Sequence, residues 1–119
     1  MINQPNTKSI VCFGEILFDI FPTHKKIGGA PLNVALRLAS LGINTQIISC
    51  IGADSHGQEV IDYLIPTGIS TKTIQINGAH PTGEVLVHLN EKGSATYTIN
   101  YPAAWDKIKY TQEGETAVI

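Results

Sequence analysis

A helical segment between two continuously apolar runs constrains the fold of this chain more than any other feature of its sequence. The runs are residues 9–21 (SIVCFGEILFDIF) and residues 45–52 (TQIISCIG), and neither alternates like a strand with one solvated face. Such runs are typical of strands covered on both faces, as in a parallel sheet, and parallel strands need a crossover that is usually a helix. The sequence therefore predicts a β-α-β unit in which residues 9–21 form one central strand.

The segment between the two runs has the start and stop signals of a helix. Pro31 suits the first helical position, where its missing N–H is not needed, and Gly42 suits the left-handed position after the helix end. The apolar side chains between them share one helical stripe and comprise Leu32, Ala35, Leu36 and Ala39. A second helix is predicted for residues 55–65, with Asp54 as its N-cap and the PTG sequence of residues 66–68 as its end.

Beyond residue 70 the pattern changes to short segments with period-two alternation. These segments are KTIQI (residues 72–76), GEVLVHL (residues 83–89) and ATYTINY (residues 95–101), and NEKG supplies a turn between the last two. They predict a small antiparallel sheet added to the α/β unit. The final residues, GETAVI, begin another apolar run, so we expect a buried strand there and a chain that is cut off mid-fold.

The charge balance argues against a nucleic-acid partner. Eight basic and ten acidic side chains give a net charge of −2, and the longest basic run is the pair Lys25 and Lys26. Binding to a phosphate backbone needs a basic patch, which this sequence lacks. The first residues lack the apolar stretch of a signal peptide, and no segment approaches the ~20 apolar residues of a membrane helix. We therefore expect a cytoplasmic protein without a nucleic-acid or membrane partner.

The cysteines and histidines do not predict a metal site. Cys12 and Cys50 lie inside apolar runs, where a thiol packs as a small hydrophobe, so neither a disulfide nor a metal role is expected. The histidines show no metal-ligand spacing with one another, with carboxylates or with cysteines; they are His24, His56, His80 and His88.

Two familiar phosphate-binding motifs are also excluded. Gly14 stands alone within the first apolar run, so the dinucleotide fingerprint of three spaced glycines is missing. The GADSHG sequence of residues 52–57 is followed by Gln58 instead of the lysine of a P-loop. A nucleotide-binding domain of the dehydrogenase type is therefore not supported.

Four polar or glycine positions predict a small-molecule site beside the first helix. Gly28 and Gly29 precede the helix start, where free N–H groups carry partial positive charge and missing side chains leave main chain accessible. The Asn33 amide can both donate to and accept from hydroxyl groups. Asp19 ends the first apolar run, at the sheet edge where open α/β sheets bind ligands. Each position also has a structural interpretation, since the glycines can form a tight turn, the asparagine a cap, and the aspartate a turn.

These residues resemble the N-terminal part of the ribokinase-like, or PfkB-type, carbohydrate kinases. The resemblance is carried by GGAPLNVALRLASLG (residues 28–42), followed after nine intervening residues by Gly52, and by the GADSHG sequence. GEILFD (residues 14–19) and YPAAWD (residues 101–106) look most like bacterial fructokinases. The resemblance covers residues 9–108.

The resemblance implies an α/β fold with a ribokinase-like, mostly parallel central sheet flanked by helices, and a small antiparallel β-sheet lid. The core would comprise about residues 9–70 and 101–119, and the lid strands about residues 22–27 and 72–100. In such enzymes the lid can also form a subunit interface, which implies a homodimer.

The activity implied by the resemblance is transfer of the γ-phosphoryl group of ATP, with Mg²⁺, to a sugar hydroxyl. Fructose is the expected sugar, ahead of 2-keto-3-deoxygluconate or ribose. The implied sugar ligands are Asp19, the backbone of Gly28 and Gly29, and Asn33, with Ile99 as an apolar contact from the lid.

The family's catalytic aspartate belongs to a C-terminal G-A-G-D motif that this chain lacks. The chain alone is therefore expected to be inactive, as the sugar-binding part of a kinase without the catalytic aspartate and the ATP site. The alternative is a non-catalytic sugar-binding or interaction module.

Overall fold

The computed structural model describes residues 9–118, which form seven strands, three α-helices and two 3₁₀ turns. In chain order these elements are β1 (Ile10–Phe13), β2 (Leu17–Ile20), β3 (Lys25–Gly28), α1 (Ala30–Ser40), β4 (Thr45–Gly52), α2 (Ser55–Leu64), a 3₁₀ turn (Ile65–Thr67), β5 (Ile74–Asn77), β6 (Gly83–Leu89), β7 (Ala95–Ile99), a second 3₁₀ turn (Ala104–Lys107) and α3 (Gln112–Val118). No helix within this described part is long and apolar enough to cross a bilayer.

The predicted β-α-β unit is confirmed as a three-stranded parallel sheet, with strand order β1-β4-β5. Its central strand, β4, is almost entirely buried, as the continuous apolar run predicts. The side chains that form the core come from this sheet, from α1 and α2, and from the start of the second sheet; the fully buried ones include Ile16, Leu32, Ile47, Val60 and Leu64. Cys12 and Cys50 are both buried as predicted, and burial raises the pKa of both thiols.

Both helix predictions are confirmed at their ends. Pro31 lies in the first turn of α1, and Gly42 follows the helix with a left-handed φ of +80°. Asp54 is the N-cap of α2, where its carboxylate accepts a hydrogen bond of 2.8 Å from the N–H of Gly57. These local signals needed no tertiary context, because each is a backbone preference of one residue.

The prediction of one central strand for residues 9–21 is wrong. The chain breaks at Gly14, whose φ of +138° only glycine adopts readily, and the halves on either side join different sheets. The first half, β1, is an edge strand of the parallel sheet, and Phe13 at its end is 65% exposed. The second half, β2, leaves that sheet and pairs elsewhere.

The second sheet has the strand order β3-β2-β6-β7, and we call these four strands the lid sheet. The expected antiparallel arrangement is wrong for one pair, because β2 and β6 run parallel, while the β2-β3 and β6-β7 pairs are antiparallel. The KTIQI segment was also expected in the lid, but it forms β5 and pairs parallel with β4 in the other sheet. The predicted NEKG turn is confirmed between β6 and β7, where Gly93 has a φ of +79°.

The expected strand near the C-terminus is also wrong, since residues 112–118 form the helix α3. The Thr111 hydroxyl accepts a 2.9 Å hydrogen bond from the N–H of Gly114, as an N-terminal cap does. Glu113 and Glu115 lie in the first turn, where carboxylates stabilise the positive end of a helix. These polar signals outweigh the short apolar run that follows them.

Side chains of α2 hold the lid sheet against the core. The Phe18 ring stacks on the His56 ring with centroids 4.4 Å apart, and His56 Nδ1 lies 3.0 Å from the Glu84 carboxylate. Next to them, Lys25 Nζ lies 2.9 Å from the Glu59 carboxylate. The helix α2 therefore packs on the face of β2 that includes Phe18 and helps to hold the lid sheet against the core.

Candidate functional site

Two of the predicted site residues, Asp19 and Gly28, meet where the lid sheet approaches the start of α1. Asp19 lies in β2, in the lid sheet, and not at the end of a core strand as predicted, because the break at Gly14 moves it there. Its carboxylate lies over the Cα of Gly28, since a Cβ at Gly28 would sit 2.7 Å from Asp19 Oδ2. The structure therefore brings Asp19 and Gly28 into direct contact.

The Asp19 carboxylate has no protein partner in the described part of the chain. It is half-buried, and within residues 9–118 it accepts no hydrogen bond and forms no ion pair. Lys26 is its register partner on β3, yet the ion pair of this strand is formed by the neighbouring Lys25 with Glu59. The acceptor capacity of this half-buried carboxylate is therefore not used by the described residues.

Gly29 is required by a close approach of two main-chain segments. Its φ is +106°, and a Cβ there would sit 2.5 Å from the carbonyl oxygen of Glu15. On the other side of the same contact, a Cβ at Gly14 would lie 2.9 Å from Cγ of Pro31. The missing side chains of Gly28 and Gly29 thus make room for the Asp19 carboxylate and the Glu15 carbonyl. The role of their backbone in lining a sugar stays a prediction.

Glu15 also lies beside the start of α1, although the sequence did not predict this position. Its Oε1 accepts a 3.4 Å hydrogen bond from the N–H of Ala30, the first residue of α1. The carboxylate thereby faces the positive end of the helix, a position that favours negative charge. The signal was present in the GEILFD sequence, but Glu15 and Ala30 are fifteen residues apart and only the fold brings them together.

Asn33 lies one turn into α1 and does not cap the helix. The N-cap is Gly29, which accepts a 2.9 Å hydrogen bond from the backbone N–H of Asn33, and α1 has no side-chain cap. The Asn33 side chain is exposed, and its amide forms no hydrogen bond with any other residue of 9–118. The capping interpretation is therefore wrong, and the amide remains free to donate to and accept from a ligand.

Ile99 shares a face of the lid sheet with Asp19 but does not touch it. The register pairs Asp19 with Val85 and Val85 with Ile99, so the three residues form one row across β2, β6 and β7. Neighbouring strands lie about 4.8 Å apart, which puts Ile99 about 10 Å from Asp19. Ile99 is 60% exposed, so it lies at the margin of the site.

Residues 52–57 (GADSHG) connect the core to the lid sheet through hydrogen bonds. The Asp54 carboxylate accepts hydrogen bonds from the N–H (2.9 Å) and the hydroxyl (2.6 Å) of Thr82, which precedes β6. The Thr82 hydroxyl in turn accepts a 2.9 Å hydrogen bond from the N–H of Gly52. Partial burial raises the pKa of the Asp54 carboxyl, but the hydrogen bonds from Thr82 and Gly57 outweigh it and hold the pKa below its usual range. These groups are committed to one another, and among the described residues no cluster of three His, Cys, Asp or Glu side chains could hold a metal ion.

Comparisons with known proteins agree on one family. The family model described as pfkB family carbohydrate kinase matches residues 4–116. Fructokinase from Salmonella typhimurium is 34% identical over 90 residues, which cover 71% of this chain and 29% of that protein.

Solved structures give the same result. The structure of fructokinase from Xylella fastidiosa matches with a TM-score of 0.80 at 26% identity, over 92% of this chain and 38% of its own. A putative ribokinase II from E. coli, solved in complex with ATP and Mg²⁺, matches with a TM-score of 0.74 at 26% identity, over 84% of this chain and 36% of its own. The chain spans between 26% and 33% of the length of three curated relatives that it matches.

Proposed function

The chain belongs to the pfkB family of carbohydrate kinases, and we propose that it forms the sugar-binding part of an ATP-dependent sugar kinase that acts on fructose. The observation that carries this proposal is the half-buried Asp19 carboxylate, which lies over Gly28 at the start of α1 without a partner in the described chain. The similarity to proteins named fructokinase supports fructose as the sugar.

Each group at the site has a separate role toward a sugar. The Asp19 carboxylate accepts hydrogen bonds from sugar hydroxyls, and charge-assisted bonds of this kind are the stronger ones. The exposed Asn33 amide donates to one hydroxyl and accepts from another. The start of α1, held by Glu15, supplies partial positive charge at the same edge. Together these groups orient one hydroxyl of the sugar, and orientation is a large part of catalysis of phosphoryl transfer.

The similarity to a structure containing ATP and Mg²⁺ supports these two cofactors for the whole protein. Among the described residues no cluster of three His, Cys, Asp or Glu side chains could hold a metal ion by itself, and the Asp54 carboxylate is committed to Thr82 and Gly57. We therefore assign only sugar binding and orientation to this chain, and we propose that the nucleotide site and the catalytic base belong to the remainder of the enzyme.

The test is the activity of the native gene product, identified by its intact mass. We expect fructose-dependent release of ADP, and we expect Asp19→Asn to raise the KM for fructose about 10- to 100-fold, because hydrogen bonds to a charged group contribute about 1.5–3 kcal/mol. The KM for ATP should not change. Asp62→Asn, on the exposed side of α2, is the matched control and should leave both values unchanged. An Asp19→Asn enzyme with an unaltered fructose KM would remove Asp19 from the site.

The alternative function is a non-catalytic sugar-binding or interaction module. The observation that favours it is that Asp19, Gly28 and Asn33 all lie within this chain, while the edge strand β1 leaves Phe13 exposed for contact with another chain. A native product of 12.8 kDa that binds fructose without releasing ADP would establish this alternative and refute the kinase.

A homodimer through the lid sheet is also proposed. All five residues of β7 are exposed, and Tyr97, Ile99 and Leu89 project from one apolar face of β6 and β7. Apolar side chains on an uncovered sheet face are typical of an interface. We expect a dimer by light scattering, and a monomer after Tyr97→Lys. The control is Tyr110→Lys, outside the lid sheet, and a dimer that survives Tyr97→Lys would refute the proposed interface.

A further inference from the structure

The only tryptophan of the chain lies against the lid sheet, at a strand position occupied by glycine. A Cβ at Gly83, the first residue of β6, would sit 2.6 Å from Cδ1 and 2.8 Å from Nε1 of Trp105. The indole therefore rests directly on the main chain of β6. Any side chain at Gly83 would push it away.

Trp105 and Asp19 lie on the same face of the lid sheet. The register pairs Gly28 with Leu17 and Leu17 with Gly83, which places these three residues in one row. Their side-chain positions point the same way, since the Cβ position of Gly28 meets Asp19 and that of Gly83 meets both Leu17 and Trp105. The carboxylate and the indole thus flank one patch of sheet.

The floor between them is apolar. Leu17 and Val85 lie between the Asp19 carboxylate and the indole, and each is only 8% exposed. Asp19 is separated from Gly83 by one strand spacing and two residues, about 8 Å on the sheet, which is the scale of a hexose with its hydroxyl groups. The patch has the composition of a small-molecule site, with apolar walls and a few convergent polar groups.

The indole has a free hydrogen-bond donor. Trp105 is half-buried, yet within residues 9–118 its Nε1–H donates to no acceptor. A tryptophan N–H that becomes buried normally finds a hydrogen-bond partner, so a ligand that covers this indole would have to supply an acceptor. We propose that Trp105 is a specificity-determining wall of the sugar site, which packs its ring on the C–H face of a hexose and donates from Nε1 to a hydroxyl. Gly83 is then a positioning residue that admits the ring, and the inference rests on the proposed sugar-binding function.

The experiment is a titration of the 119-residue chain with fructose, followed by tryptophan fluorescence and independently by calorimetry. Because Trp105 is the only tryptophan, any saturable change in emission reports on this position. Trp105→Phe keeps an aromatic ring and loses the donor, whereas Trp105→Leu loses both. We expect the calorimetric affinity for fructose to fall about two- to tenfold in Trp105→Leu and less in Trp105→Phe.

A second pair of variants moves the ring without removing it. Gly83→Ala adds one methyl group that would collide with the indole, and we expect a blue- or red-shifted emission and weaker fructose binding. Gly78→Ala is the matched control, because a Cβ at Gly78 meets nothing within 4 Å, and it should behave as wild type. Circular dichroism of each variant identifies any that lose the fold.

The outcomes separate this inference from the function on which it rests. Fructose binding that depends on Asp19 but leaves Trp105 emission unchanged, with full affinity in both Trp105→Phe and Gly83→Ala, would overturn the inference alone. No binding that depends on Asp19 would overturn the proposed function and the inference together. Binding that depends on Asp19 and changes the emission, with reduced affinity in Gly83→Ala but not in Gly78→Ala, would establish Trp105 as a wall of the site.

Discussion

Removal of the Asp54 carboxylate should destabilise the chain far more than an average substitution on a helix. In Asp54→Ala, α2 loses its N-cap, which contributes about 0.5–2 kcal/mol. The N–H and hydroxyl of Thr82 lose their acceptor, and an unsatisfied buried polar group costs about 1–3 kcal/mol. Thr82 is only 1% exposed, so water cannot replace the carboxylate without opening the structure. Because the two contributions share one carboxylate, they are not independent, and we expect a total loss of about 2–4 kcal/mol.

The assay is urea unfolding of the 119-residue chain, followed by circular dichroism. Stabilities of small domains are about 5–15 kcal/mol, so a loss of this size moves the midpoint clearly. Asp62→Ala is the control, because Asp62 is an exposed residue of α2 with one hydrogen bond, from Gln58 within the same helix. If Asp54→Ala and Asp62→Ala differ by less than about 0.5 kcal/mol, the tie between α2 and the lid sheet contributes nothing, and the reasoning is refuted.

The hydrogen bonds of Asp54 also predict that stability depends on pH, because the folded-state pKa of Asp54 lies below its unfolded value. The stabilisation is present above about pH 4 and is lost as the pH falls through the folded pKa. The difference in unfolding free energy between wild type and Asp54→Asn should therefore shrink in acid; a constant difference would contradict this. Gly29→Ala should destabilise the chain by about 2 kcal/mol or more, since its Cβ would meet the Glu15 carbonyl at a positive φ, whereas Gly78→Ala should be nearly neutral in the same urea assay. Asp19→Asn should leave the unfolding free energy within about 0.5 kcal/mol of wild type, because the Asp19 carboxylate has no partner among the described residues. The same variant should still weaken fructose binding. A large loss of stability would show that Asp19 has a structural role.

The candidate site was predictable in its residue types and only partly in its geometry. Asp19, Gly28 and Asn33 were identified from helix-end and carboxylate chemistry. In the structure Asp19 contacts Gly28, and Asn33 lies one turn into the helix that follows. The reason for the glycines was not predictable, because the atoms that fill their missing side chains belong to Asp19 and Glu15, which are distant in sequence. Trp105 belongs to the YPAAWD sequence, but nothing near it in the chain predicts a place in the site, because its contact with Gly83 is made between residues distant in sequence.

What the sequence determined by itself is local. The apolar stripe and the end signals of α1, the Asp54 cap of α2 and the buried character of β4 follow from backbone preferences and periodicity within a few residues.

Only the tertiary structure decided which sheet each strand joins. A strand's pattern shows which of its faces is apolar, but not its neighbour or its direction, because these depend on hydrogen bonds to residues far along the chain. This is why β5 joined the parallel sheet, why β2 paired parallel with β6, and why residues 9–21 divided at Gly14. That division places Asp19 on the lid sheet, over Gly28 and on the same face as Trp105.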